Sequence, residues 1–163
     1  MKKAHYVLII ISFLINSILV KAYTGEVESS FYTPGKHCTG MAYDGKSLWL
    51  ADRETDLIYE LNAENGRILS SIESPGYWTS GLCWDGQNLW ASDVKGGIPL
   101  AENYNGRVYK LDPISGEILH SIPAPSSNPY DLCWDGHYLW CVDNRSDMIV
   151  QFSPEDGTTI KSF

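Results

Sequence analysis

One ten-residue stretch occurs three times in this chain of 163 residues. It reads GMAYDGKSLW from Gly40, GLCWDGQNLW from Gly81 and DLCWDGHYLW from Asp131. The marker tryptophans lie 41 residues apart from Trp49 to Trp90 and 50 apart from Trp90 to Trp140. A fixed spacing of this size leaves few solutions, because each unit must be one supersecondary element that buries its apolar faces against its neighbours.

Within the first unit, Gly40–Tyr43 predicts a short strand, Asp44-Gly45 a tight turn and Ser47–Ala51 a second strand. A polar loop, Asp52–Asp56, leads to a third strand over Leu57–Asn62. Asn65-Gly66 then turns the chain into a fourth strand over Arg67–Ile72. Asp-Gly and Asn-Gly between apolar runs are strong hairpin signals, since both residues tolerate positive φ. The same order recurs over 81–122 and 131–163, and the nine extra residues of the second period all fall between Asp93 and Val108.

Four short antiparallel strands at a period just over 40 make the blade of a β-propeller. Leu48-Trp49-Leu50-Ala51 and Leu89-Trp90-Ala91 are apolar on both sides, as strands covered on two faces must be. A β-sandwich would want cleaner alternation. The expected fold class is therefore all-β, a partial propeller of three four-stranded blades (40–72, 81–122 and 131–163). Gly25–Tyr32, GEVESSFY, matches GRILSSIE from Gly66 and GEILHSIP from Gly116, and predicts an extra N-terminal outer strand.

Three blades do not close a ring, since closed rings take about four to eight. Each end would bare about 400–600 Å² of apolar face, on the order of 10 kcal/mol of lost burial. That is comparable with the whole stability of a domain. The chain is accordingly expected to be part of a larger propeller, or a half-ring that self-associates to complete one.

Residues 1–22 read as a secretory signal peptide. Lys2 and Lys3 precede an apolar stretch from Tyr6 to Val20, and Val20-Lys21-Ala22 precedes a cut before Tyr23. Fifteen residues at about 1.5 Å each reach roughly 22 Å, short of a ~30 Å hydrocarbon core. The expected location is secreted or periplasmic, with no membrane contact after cleavage. The leader removes three Lys, so the net charge moves from −8 to −11, nine basic against twenty acidic residues. A body this acidic repels phosphate backbones, which argues against nucleic acid as a partner.

The four cysteines are Cys38, Cys83, Cys133 and Cys141. Cys83 and Cys133 occupy the repeat position of Ala42, and Cys141 that of Leu50 and Ala91, which is how buried free thiols behave. A Cys133–Cys141 bridge across one hairpin is the alternative. No two cysteines have zinc-site spacing.

The unit WDG-x-x-LW-x-x-D, followed by I/V-Y-x-L-D/N and x-G-x-I/V-L, resembles secreted bacterial propellers of the NHL/YVTN kind. It is similar, more distantly, to streptogramin-lyase and gluconolactonase-like propellers. Residues 96–113, GGIPLAENYNGRVYKLDP, resemble the propeller segment of exported transglutaminase-domain proteins. These resemblances imply a fold and leave activity open, because such families share blades and differ in chemistry.

Sites on such a fold sit on the rim carrying the longer loops. Here that rim supplies Lys36, His37, Arg53, Tyr77, Trp78, Lys95, Tyr130 and Arg145 as candidate ligand-binding residues. Aromatics with scattered cations suit a protein, peptide, carbohydrate or small anionic ligand. No catalytic set is identified, and no cofactor or metal is expected for a binding module. The alternative is a lyase- or lactonase-type enzyme using His37 and a divalent metal on the same rim. Asp52, Asp93 and Asp143 end the second strand of every unit. They are expected to hold their own loops, as Asp commonly does.

Overall fold

The computed structural model describes residue 25 and residues 27–94, 106–126 and 128–163. The leader, Lys95 and most of the long insertion lie outside them. The described residues form twelve strands and no helix. Blade 1 holds β1 (Cys38–Tyr43), β2 (Ser47–Asp52), β3 (Leu57–Asn62) and β4 (Ile68–Glu73). Blade 2 holds β5 (Thr79–Trp84), β6 (Leu89–Asp93), β7 (Arg107–Leu111) and β8 (Ile118–Pro123). Blade 3 holds β9 (Pro129–Trp134), β10 (Leu139–Asp143), β11 (Met148–Phe152) and β12 (Thr159–Ser162). Each blade is an antiparallel sheet with its strands in sequence order.

The repeated decapeptide folds alike in each blade because one aspartate serves two purposes. Asp85 Oδ1 accepts the backbone N–H groups of Gln87 and Asn88 at 2.9 and 2.7 Å. Its Oδ2 accepts the Trp90 indole N–H at 2.9 Å. Asp44 does the same for Lys46, Ser47 and Trp49, and Asp135 for His137, Tyr138 and Trp140. The glycine after each aspartate takes φ near +100° (97°, 100° and 98°), which closes the turn. The carboxylate thus ties the hairpin to the tryptophan four residues past that glycine.

Two apolar cores lie between blades. One joins Ala42, Trp49, Ile58 and Ile72 of blade 1 to Leu82, Leu89 and Leu111 of blade 2. The other joins Cys83, Trp90, Val108 and Ile122 of blade 2 to Leu132, Leu139, Val150 and Phe152 of blade 3. These are equivalent repeat positions, so each blade offers a face built around Trp to the Leu-rich face of the next. The innermost strands approach closely. A Cβ on Gly40 would lie 2.5 Å from the Ser80 carbonyl oxygen, and one on Gly81 would lie 2.6 Å from Asp131 Cα.

The structure departs from the sequence reading in two places. Residues 27–33 run beside blade 1 without forming a strand, since no described third strand lies alongside to pair with them. Phe31 nonetheless packs on the Gly66 turn, where a Cβ would meet its ring at 2.2 Å. Cys133 is exposed while Cys83 is buried, because the face carrying Cys133 has no blade against it. Cys133 pairs with Trp140 and Cys141 with Leu132, so the two thiols point to opposite faces and remain free. Burial pushes the Cys141 thiol up to about 12.

Substituting Gly81→Val forces the inner strands of blades 2 and 3 apart. It is expected to cost about 1–3 kcal/mol, as overpacking does, measured as a lower midpoint in urea. An unchanged midpoint would show that the strands do not meet there.

Candidate functional site

The rim of longer loops is organised by the aspartates that end β2, β6 and β10. All three are buried. Asp52 Oδ1 accepts the N–H groups of Glu54 and Thr55 at 2.8 and 3.1 Å, while Oδ2 accepts the His37 N–H at 3.3 Å and the Cys38 thiol at 3.4 Å. Asp143 binds Arg145, Ser146 and Asn128 N–H groups in the same way, and Asp93 Oδ1 accepts the Trp78 N–H at 2.7 Å. Asp52 and Asp143 therefore each join the connector before the blade to the loop after β2 or β10, and Asp93 holds the connector entering blade 2. Gly35 and Gly76 press against Asp52 and Asp93, with room for no side chain: a Cβ would lie 1.8 Å and 2.4 Å from them.

The same bonds set the electrostatics. Burial alone raises the Asp52 carboxyl, but the Glu54 and Thr55 N–H groups, the Cys38 thiol and the His37 N–H outweigh it. The result lies below the usual 3.8. Burial, together with the Asp52 carboxylate, holds the Cys38 thiol above its usual 9.0. These aspartates act as loop anchors, in line with the sequence expectation.

On this frame three of the candidates, His37, Arg53 and Trp78, come together. Arg53 lies over the Trp78 ring, 4.5 Å from its centroid, so a blade 1 loop is clamped to the connector entering blade 2. The Arg53 N–H donates to the His37 carbonyl at 3.2 Å, and His37 Nε2 lies 3.5 Å from Glu54 Oε2. Tyr77 is 61 % exposed beside this cluster, and Lys36 is exposed next to His37. Arg145 and Tyr130 belong to blade 3. Arg145 is exposed on the β10–β11 loop, and Tyr130, also exposed, lies on β9. No described contact links these two to the Arg53–Trp78 cluster.

The opposite rim carries two features that sequence reading missed. A cleft of about 590 Å³ opens between blades 2 and 3, lined by Trp90, Lys110, His120, Trp134 and Glu155 among others. Lys110 Nζ lies 2.9 Å from Asp85 Oδ2 and 5.4 Å from the Trp90 ring centroid. His120 Nε2 bonds the Glu155 carbonyl at 2.8 Å across the junction. Asp85 is held below the usual 3.8: burial raises it, and Lys110 with the turn N–H groups and the indole N–H outweighs that. The equivalent cleft between blades 1 and 2, about 390 Å³, has Glu60 in the place of Lys110 and Ser70 in that of His120. The aligned positions were readable as a repeat, but their meeting across a blade junction was not.

No protein-family model matches the chain, and no curated protein matches it. Solved structures do. Glutaminyl cyclase of Myxococcus xanthus aligns with TM-score 0.62 and 18 % identity over 77 % of this chain and 51 % of its own. BamB from Moraxella catarrhalis aligns with TM-score 0.53 and 13 % identity over 81 % and 38 %. Hydrazine synthase of Kuenenia stuttgartiensis aligns with TM-score 0.55 and 18 % identity over 77 % and 36 %. These are β-propeller proteins, and the likeness shows that fold. The chain spans about half of the first and less of the other two.

Because the folded-state pKa of Asp52 lies below 3.8, its stabilisation is full above that value and is lost as the pH falls through the folded value. Asp52→Ala is expected to lower stability by about 1–3 kcal/mol at neutral pH. In melts at descending pH, that gap should close in acid. A gap constant down to pH about 2 would show that the ionised carboxylate does not hold the loops.

Proposed function

We propose that this chain is an exported, non-catalytic binding module, a fragment or half-ring of a larger propeller, whose rim of longer loops takes a protein, peptide or carbohydrate ligand. The reading is carried by the Arg53–Trp78 stack. A guanidinium held over an indole, with the exposed Tyr77 next to Trp78 in the chain, sets positive charge beside aromatic rings. Acidic sugars match that arrangement, ring against aromatic face and carboxylate against cation. Export follows from the leader pattern of residues 1–22.

The second reading, a lyase- or lactonase-type enzyme, has one observation in its favour: a protein of similar fold, the glutaminyl cyclase, is named as an enzyme. At 18 % identity that likeness carries fold alone. His37, the imidazole on which the enzyme reading rests, stands against Glu54. Among the described residues, no group of three or more His, Cys, Asp or Glu side chains is arranged to hold a metal ion.

The test is a tryptophan-fluorescence titration of the exported protein with oligogalacturonate, using a neutral cello-oligosaccharide as control. Saturable quenching by the acidic sugar is expected, about tenfold weaker in Arg53→Ala. Loss in Lys110→Ala instead would move the site to the opposite cleft. Absence of saturation would overturn the acidic-carbohydrate reading. Turnover of a lactone that is abolished both by chelation and by His37→Ala would overturn the non-catalytic one.

A further inference from the structure

The rim of tight turns carries a cleft at each blade junction, and the repeat makes the two comparable position by position. Both are built on one frame, Trp49 and Trp84 in the first and Trp90 and Trp134 in the second, with Pro113 or Pro154 from the following blade. In the first cleft the polar groups satisfy one another. Ser47 Oγ and Ser70 Oγ each donate to the Glu60 carboxylate at 2.8 Å, and the remaining variable position is the apolar Ile114. The second cleft holds Asn88, Lys110, His120 and Glu155 in the places of Ser47, Glu60, Ser70 and Ile114. Their side chains do not satisfy one another.

Asn88 is only 8 % exposed, yet its bonds are all made by its backbone: its N–H goes to Asp85 Oδ1, and its carbonyl accepts the Asp85 N–H. Among the described residues nothing bonds its side-chain amide. A buried amide left unbonded costs about 1–3 kcal/mol, so its partner comes from the cleft, water until a ligand displaces it. His120 commits Nε2 to the Glu155 carbonyl and keeps Nδ1, and the exposed Glu155 carboxylate bonds no described residue. Asp85, by contrast, is saturated by the Gln87 and Asn88 N–H groups, the Trp90 indole and Lys110. The Lys110 charge is matched there, and the cleft offers an anion no unpaired Lys or Arg.

We propose that the cleft between blades 2 and 3 binds a neutral sugar carrying an acetamido group, at a site separate from the Arg53–Trp78 stack. The complement of an amide is another amide: Asn88 donates to the acetamido carbonyl and accepts its N–H. The half-buried Trp134 gives the sugar ring an aromatic platform. His120 Nδ1, the Glu155 carboxylate and the remaining hydrogens of Lys110 suit hydroxyl groups, which both donate and accept. The volume, about 590 Å³, lies within the usual range of ligand pockets. A peptide fits less well, because the Gln87, Asn88 and Glu155 N–H groups are already taken and leave no ladder to extend. Both blades that form the cleft are described, so it does not depend on what adjoins the outer faces of blades 1 and 3.

Isothermal titration of the folded chain compares the N-acetylglucosamine trimer with cellotriose, its counterpart without the acetamido group. Saturable binding of the acetylated trimer is expected, with cellotriose about tenfold weaker for want of the amide pair. Asn88→Ser installs the residue that blade 1 carries in the same turn, Ser47, and keeps the backbone bonds to Asp85. It should weaken the acetylated trimer about tenfold and leave oligogalacturonate binding unchanged, while Arg53→Ala does the reverse. Glu155→Ile, with the residue found at Ile114, should weaken the trimer severalfold without moving the melting temperature. No saturation by the acetylated trimer, equal binding of the two trimers, or indifference to Asn88→Ser would each overturn the proposal, and none of these bears on the Arg53 site. Tighter binding of an N-acetylated tripeptide amide would make the cleft a peptide site and overturn the sugar assignment.

Discussion

Everything in this fold depends on one contact: the Trp-bearing face of one wedge of sheet against the Leu-rich face of the next. A four-stranded blade is too thin to have a core of its own, so its apolar residues are buried only by a neighbour. Both cores lie between blades for that reason. The contact is tightest where the inner strands converge, and there Gly40 and Gly81 leave no room for a side chain. Further out, the blades splay and the clefts beside Trp90 and Trp49 open.

The aspartates divide the work that makes such a contact reproducible. Asp44, Asp85 and Asp135 fix each first hairpin and aim its tryptophan at the junction. Asp52, Asp93 and Asp143 fix the connectors at the opposite rim. Satisfying backbone N–H groups with carboxylates lets short, irregular loops keep one shape. An acidic chain is the by-product.

Much of this was legible in the sequence because it is local. The Asp-Gly turns, the strand order and the third strand's restart at Arg107 after the insertion all follow from residues close in the chain. What was not legible lies across junctions. The Arg53–Trp78 stack joins residues of different blades, and nothing in periodicity says which loop leans on which. The pressure of Gly35 on Asp52 is hidden for the same reason. Cys133 reads as buried because its repeat partners are buried, and it is exposed only because its face stands open. His120 is exposed on an outer strand, and nothing in the periodicity says that its ring bonds the Glu155 carbonyl across a junction.

The most direct measurement of the central contact is an NMR nuclear Overhauser spectrum of the folded chain. If the blades lie side by side about a common axis, Gly40 should show backbone cross-peaks to Gly81, and Gly81 to Asp131 and Leu132. Absence of these peaks, with cross-peaks instead between the Trp49 and Trp140 faces, would mean that the sheets stack in layers and would contradict the account.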